Sequence, residues 1–336
     1  IEQTASIRVL PVPPACEDVP MSLVDHPGRQ HVHIDHAAIL RQIHAEVAPL
    51  VGQGKVAAYI PRLADVPANR FGMAVATLDG RLFEVGDAAE PFSIQSISKV
   101  FSLTLALEAL GPDLWKRVGR EPSGSAFNSL VQLESEKGIP RNPLINAGAH
   151  VVADVVLSSN RNAREYLLAF VRERADNPGV IMDAEVAGSE RNTGFRNAAL
   201  ANFVRSFGNL DNPVEQVLDF YFHQCALQMS CADLARAFVY LANRGRCQRS
   251  GKSVISAGLA KRINALMLTC GTYDAAGEFA FRVGFPAKSG VGGGIVAIVP
   301  NVLTVAVWSP ALDDKGNSLA GAAALERFAA LTGLSI

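Results

Sequence analysis

Phe92-Ser-Ile-Gln-Ser-Ile-Ser-Lys-Val-Phe101 contains a Ser-x-x-Lys, Ser96-Ile97-Ser98-Lys99, and leads into an apolar run that ends at Leu110. Gly111-Pro112 comes next and is a helix stop signal. The pattern predicts a helix from about Ser96, apolar on every face and so buried all round. Lys99 then lies three residues beyond Ser96, over the same face. A serine hydroxyl becomes a nucleophile only with a base beside it, and a desolvated lysine that has lost its charge can be that base. The free N–H groups at a helix start would favour a developing oxyanion. Taken alone the tetrapeptide says little. A Ser-x-x-Lys occurs by chance about once in a chain of this length, and a serine at a helix start is usually a cap.

A second element changes the weighing. Lys288-Ser289-Gly290 stands at a predicted strand end, before the glycine-rich loop Val291-Gly-Gly-Gly294. Glycines at a strand corner need carry no chemistry. A Lys-Ser/Thr-Gly strand also borders the active site in enzymes that use Ser-x-x-Lys, and glycines let backbone N–H groups approach a ligand. The two elements in this order point to a serine acyl-enzyme. Competing motifs fail. No Gly-x-Ser-x-Gly, His-Glu-x-x-His or cysteine pair at zinc spacing is present. Gly245 to Ser253 has five residues between its glycines, where a P-loop has four, and follows a predicted helix. Ser158-Ser159-Asn160 matches the Ser-x-Asn letters of penicillin-binding proteins but reads as a turn after a helix.

The chain has 336 residues, 49% hydrophobic and 19% charged, enough for a sizeable core. Its formal net charge of −1, with no basic stripe, argues against a nucleic-acid partner. No apolar run reaches membrane-span length. Residues 1–30 carry no charged-then-apolar leader pattern, and the five cysteines contain no Cys-x-x-Cys. Reduced thiols in a cytoplasmic protein are expected.

Proline-rich residues 1–30 read as a poorly ordered arm. Asp35 is expected to cap a helix over 36–51 carrying Ile39, Ile43, Val47 and Leu50 on one side, and Tyr59-Ile60-Pro61 to lie in a loop. Asp79-Gly80 predicts a hairpin joining 73–78 to 81–85. Helices are expected over 149–157, 163–174, 196–207, 214–226, 231–244 and 257–268, with Asn192, Ser230 and Ser256 as caps or loop residues near starts. Strand character returns over 281–287, 294–299 and 303–309, with Pro300-Asn301 as a turn, before a last helix over 318–331. The expected fold is α/β of the α+β kind: one antiparallel sheet of about five strands, flanked by terminal helices, with a helical subdomain inserted between its second and third strands. Residues 31–95 and 270–336 would build the sheet part and 96–269 the helical part.

Five blocks together resemble the bacterial glutaminase family: FSIQSISKVF (92–101), EPSGSAFNSL (121–130), GIPRNPLINAGA (138–149), YFHQCALQMSC (221–231) and PAKSGVGGGIVAIVPN (286–301). The resemblance covers roughly 34–331. It implies a serine β-lactamase-like fold and hydrolysis of L-glutamine to L-glutamate and ammonia, with no cofactor and no metal. It also implies a homodimer or homotetramer. By the same resemblance Ser96 is the nucleophile and Lys99 its base, and the N–H groups of Ser96 and Val291 form the oxyanion hole. Tyr59 contacts substrate, Asn146 takes its α-carboxylate, Glu190 its α-ammonium, and Asn197 adds a polar contact. Tyr221 and Tyr273 line the pocket, and one of them, Tyr273 in preference, relays a proton to the leaving ammonia. His150 stands where an aliphatic residue would be ordinary. Two other functions fit the same residues: a penicillin-recognising hydrolase or peptidase on this fold, and a catalytically silent amino-acid-binding protein.

Overall fold

The computed structural model describes residues 34–124 and 129–335. The expected arm at 1–30 lies outside the described residues, as does part of the 121–130 block. Helix α1 (His36–Val47) is capped by the Asp35 side chain, which accepts from the Ala38 N–H. It gives way to a 3-10 turn at Ala48–Leu50, with Pro49 inside it, so the expected continuation to 51 is not α-helical. Tyr59 and Ile60 lie in a loop as expected, and Pro61 opens a short helix, α2 (Pro61–Ala64).

The expected hairpin forms from β1 (Gly72–Thr77) and β2 (Leu82–Gly86), with a three-residue loop over 78–80 in place of the two-residue turn. After β3 (Phe92–Ser93) the inserted region begins. It contains α3 (Lys99–Leu110), α4 (Val131–Ser135), α5 (Asn146–Ser159), α6 (Ala163–Ala175), β4 (Ile181–Met182) and α7 (Ala184–Thr193). Then come α8 (Phe195–Ser206), α9 (Val214–Cys225), β5 (Leu227–Met229), α10 (Cys231–Ala242) and α11 (Ala257–Cys270). The chain returns through α12 (Ala276–Val283), β6 (Ala287–Ser289), β7 (Gly294–Val299), β8 (Leu303–Trp308) and α13 (Leu319–Thr332).

The large sheet has five strands in the order β2-β1-β8-β7-β6, every pair antiparallel. This is the expected sheet with the expected insertion. Alternation along the strands gives it two buried faces. Met73, Val75, Ile295, Ala297, Val305 and Val307 pack with Leu40 and Ile43 of α1 and Phe328 of α13. Ala74, Ala76, Val296, Ile298 and Ala306 point the other way, into the core shared with Leu234 and Phe238 of α10. Small residues on that face let the α10 backbone come close. Asp154, on α5, is fully buried and ties the 211–212 turn to the helix layer. It accepts from Arg117 Nη2 (2.6 Å) and from the Asn212 N–H (2.7 Å).

Three expectations need correction. Residues 281–287 are not a strand: α12 runs to Val283, buries Phe279 and Val283, and leaves Phe281 88% exposed. Gly284, at φ +71°, ends that helix, and only 287–289 pairs with β7. Helix α7 was not anticipated, and Asn192 lies in its last turn; Ser230 and Ser256 do cap α10 and α11. The insertion is also not wholly helical, because β5 pairs with both β3 and β4 in a small second sheet.

Candidate active site

Ser96 sits in a 3-10 turn, Gln95–Ser98, and the α-helix proper begins at Lys99. The reason is Gln95, whose φ of +50° lies in the left-handed region and cannot belong to a helix. Non-glycine residues held there collect at functional sites. In a 3-10 turn, side chains at i and i+3 leave the backbone on one side, which is the relation of Lys99 to Ser96. Gln95 is itself buried and donates to Ser93 Oγ at 2.9 Å.

Lys99 is 1% exposed. Its Nζ donates to Asn146 Oδ1 (2.7 Å) and to the Leu144 carbonyl (3.2 Å). That carbonyl is aimed by Asn142, whose Oδ1 accepts from the N–H groups of Leu144 and Ile145. Burial pulls the Lys99 pKa down to about 8, partly offset by Cys225 and Glu190. Asn146, the first residue of α5, passes the network on by donating from Nδ2 to Asn197 Oδ1 on α8 (2.9 Å).

Glu190, on α7, is 6% exposed, and its Oε2 has no partner. Burial raises its pKa to about 8, against the pull of Lys99 and a hydrogen bond with Gln95. A buried carboxylate with an open oxygen suits a cationic ligand group. Tyr221, on α9, lies with its ring 5.8 Å from Lys99 Nζ, and burial holds its pKa well above the usual phenol value. His150 packs edge-to-face on that ring at 4.7 Å. Burial, reinforced by Lys99, pushes His150 down to about 3, so it is a neutral core histidine.

Tyr273, at φ +57°, hydrogen-bonds with the Ser96 side chain, and its hydroxyl also donates to the Ser289 carbonyl (3.4 Å). Burial pushes it to about 12. Lys288 is fully buried. It donates to the carbonyls of Gly271 (2.9 Å) and Ser289 (2.5 Å), with Nζ 4.4 Å from the Tyr273 ring centroid. Gly290 and Gly292 press the loop after β6 against the strand before Ser96. A Cβ on either would run into the carbonyl oxygen of Ile94 or Ser93.

A cavity of about 300 Å³ opens at this point, lined by Tyr59, Ser96, Asn146, Glu190, Asn197, Tyr221 and Val291. Seven expected residues thus share one wall, and Tyr59 is the exposed one, at 58%. Lys99 and Tyr273 do not line it but are bonded to Asn146 and Ser96, which do. Gln95, Thr193, Gly194 and Arg196 line it too and were not anticipated. Only Gln95 had a signal, its place next to Ser96. Among the described residues no group of three His, Cys, Asp or Glu is placed to hold a metal ion. The arrangement offers a buried amine bonded to the cavity-lining Asn146, a serine, and a carboxylate with an unpartnered oxygen.

A sequence model of the family described as Glutaminase matches residues 54–336. The glutaminase of Rhizobium rhizogenes is 61% identical over 304 residues, covering 90% of this chain and 98% of that protein. Among solved structures, the probable glutaminase ybaS superposes with a TM-score of 0.83 at 36% identity, over 89% of this chain and 98% of its own. The probable glutaminase from Bacillus subtilis complexed with 6-diazo-5-oxo-L-norleucine gives 0.82 at 34% identity, over 92% and 99%.

Proposed function

The chain belongs to the glutaminase family and hydrolyses L-glutamine to L-glutamate and ammonia, and we propose that it does so through a glutamyl ester on Ser96. The observation that carries this reading is the buried Lys99 amine, three residues from Ser96 and held on Asn146 Oδ1 at 2.7 Å. Neutral Lys99 takes the Ser96 proton, and the alkoxide attacks the side-chain amide carbon. The N–H groups of Ser96 and Val291 receive the oxyanion. The C–N bond breaks as Tyr273, bonded to Ser96, passes a proton to the leaving ammonia. The Lys99 proton is passed on to Tyr273, which restores both groups, and water deprotonated by neutral Lys99 then hydrolyses the ester.

Glu190 takes the α-ammonium, and Asn146 with Asn197 the α-carboxylate, while Tyr59 and Tyr221 close the cavity around the side chain. A ligand lacking the ammonium would leave Glu190 buried without a partner, which is a strong ground for rejection. The sheet part (31–95 and 270–336) and the helical part (96–269) meet at Ser96 in this reading. The protein works as a homodimer or homotetramer in the cytoplasm. Among the described residues no helix is long and apolar enough to cross a membrane.

The test is 6-diazo-5-oxo-L-norleucine, the compound held by the Bacillus subtilis relative. It should inactivate the protein and leave one label, on Ser96 by peptide mapping. A label on another side chain that accounts for the inactivation would overturn the nucleophile assignment.

A further inference from the structure

Residues 245–253, GRCQRSGKS, have no part in the hydrolysis. They form a loop between α10 and α11 that is tied down on two sides. Gln248 Nε2 donates to the carbonyls of Thr77 (3.2 Å) and Leu78 (3.1 Å) at the β1–β2 hairpin. Arg249 pairs with Asp176 just past α6. Between loop, hairpin, α6 and α10 lies a cavity of about 380 Å³ that shares no residue with the Ser96 cavity.

Three observations there belong together. Cys247 lines the cavity and is partly exposed, whereas Cys225, Cys231 and Cys270 are buried. The Ser250 hydroxyl and the backbone N–H groups of Ser250 and Arg249 turn toward its sulfur. Against burial, these and the charge of Arg174 favour the thiolate, while burial disfavours it at the other three. Second, the Arg174 side chain is nine-tenths buried on the cavity wall, where it is paired with Glu173 through Nη2 and keeps an Nε with no partner. Third, Arg236 lines the cavity and has no anionic partner among the described residues, whereas Arg81, Arg174 and Arg249 are paired with Asp79, Glu173 and Asp176. The cavity is therefore a thiol beside guanidinium groups in excess of the local carboxylates, in a space that fits a small peptide-sized molecule.

We infer that Cys247 is a modification site, which takes up a small carboxylate-bearing disulfide of the glutathione-disulfide class as a mixed disulfide, with Arg236 facing the carboxylates. The Cys247 thiolate attacks one sulfur of the incoming disulfide. A new S–S bond forms, the old one breaks, and the other half leaves as a thiolate that takes up a proton, with no further oxidant required. The inference is independent of the amide chemistry at Ser96.

The experiment treats the full chain with glutathione disulfide and, in parallel, with the neutral 2-hydroxyethyl disulfide. Peptide mapping reads the site and rate of adduct formation. The expected result is an adduct on Cys247, absent in Cys247→Ser, that forms faster with the anionic disulfide. Arg236→Gln should remove about threefold to tenfold of that advantage, as should raised salt, and leave the neutral disulfide unaffected. Adducts on other cysteines at equal or greater rate would overturn the assignment of the thiol. Equal rates for the two disulfides, or an advantage that Arg236→Gln leaves intact, would overturn the role of the cavity. Arg236 is exposed, so this variant is expected to fold, and unchanged thermal unfolding checks it.

Discussion

Lys99 Nζ lies 2.7 Å from Asn146 Oδ1, and both groups are buried. The contact joins the proposed base to a residue that lines the substrate cavity. It also leaves Lys99 without a carboxylate partner, and burial is what lowers its pKa to about 8.

A base must be unprotonated, so kcat/KM should rise with pH and level off above about 8. Asn146→Asp would place a carboxylate on the ammonium and raise the Lys99 pKa by about one to three units. The rising limb should move to higher pH by that amount, and activity at pH 7 should fall tenfold or more. A profile that does not move would separate Lys99 from the limb.

Glu190 gives a stability prediction of a definite sign. Its folded pKa is raised to about 8, so the folded chain holds the proton more tightly than the unfolded chain. The stabilisation is complete below the usual carboxylate pKa and is lost as pH climbs through about 8. Glu190→Gln should therefore raise Tm at pH 8, flatten its decline between pH 5 and 8, and lower kcat/KM for glutamine by roughly thirtyfold or more. A variant less stable at pH 8 would contradict the cost assigned to that buried carboxylate.

Gly292→Ala puts a methyl group against the Ser93 carbonyl oxygen. The loop must lift away from the strand before Ser96 and carry the Val291 N–H with it. The expected result is a stability loss of about 1–3 kcal/mol and a fall in kcat of about a hundredfold, the scale for losing one oxyanion donor. Steady-state kinetics on the folded variant checks it, and an undiminished kcat would remove Val291 from the oxyanion hole.

Asp154→Ala tests the scaffold alone. It strips Arg117 and the Asn212 N–H of a fully buried acceptor. Breaking a buried pair from one side costs about 3–5 kcal/mol, to be read in denaturant unfolding. A loss below about 1 kcal/mol would show that the 211–212 turn is held by other means.

Much of this was legible in the residues, and the exceptions have physical causes. Asp79-Gly80 marked the hairpin, and it is Gly80, at φ +93°, that closes it, in a three-residue loop over 78–80. The Ser96 and Gly290 blocks announced themselves because chemistry restricts their residue types. Residues 281–287 misled because Phe, Val and Phe are strand formers by propensity, whereas the spacing of Phe279 and Val283 on one helix face decided the outcome. Helix α7 was hidden because its buried face is only Val186, Ala187 and Glu190. A carboxylate occupies a position where periodicity looks for an apolar side chain. Gln95 was passed over because nothing in its residue type signals a left-handed backbone.

The most direct measurement is ammonia and glutamate release from L-glutamine by the purified chain and by Ser96→Ala, with folding of both verified. Rapid turnover by the first, and loss of at least a thousandfold in the second with unchanged unfolding, is the result predicted by a glutamyl ester on Ser96. A folded Ser96→Ala chain that still releases ammonia at a rate near the original would contradict it.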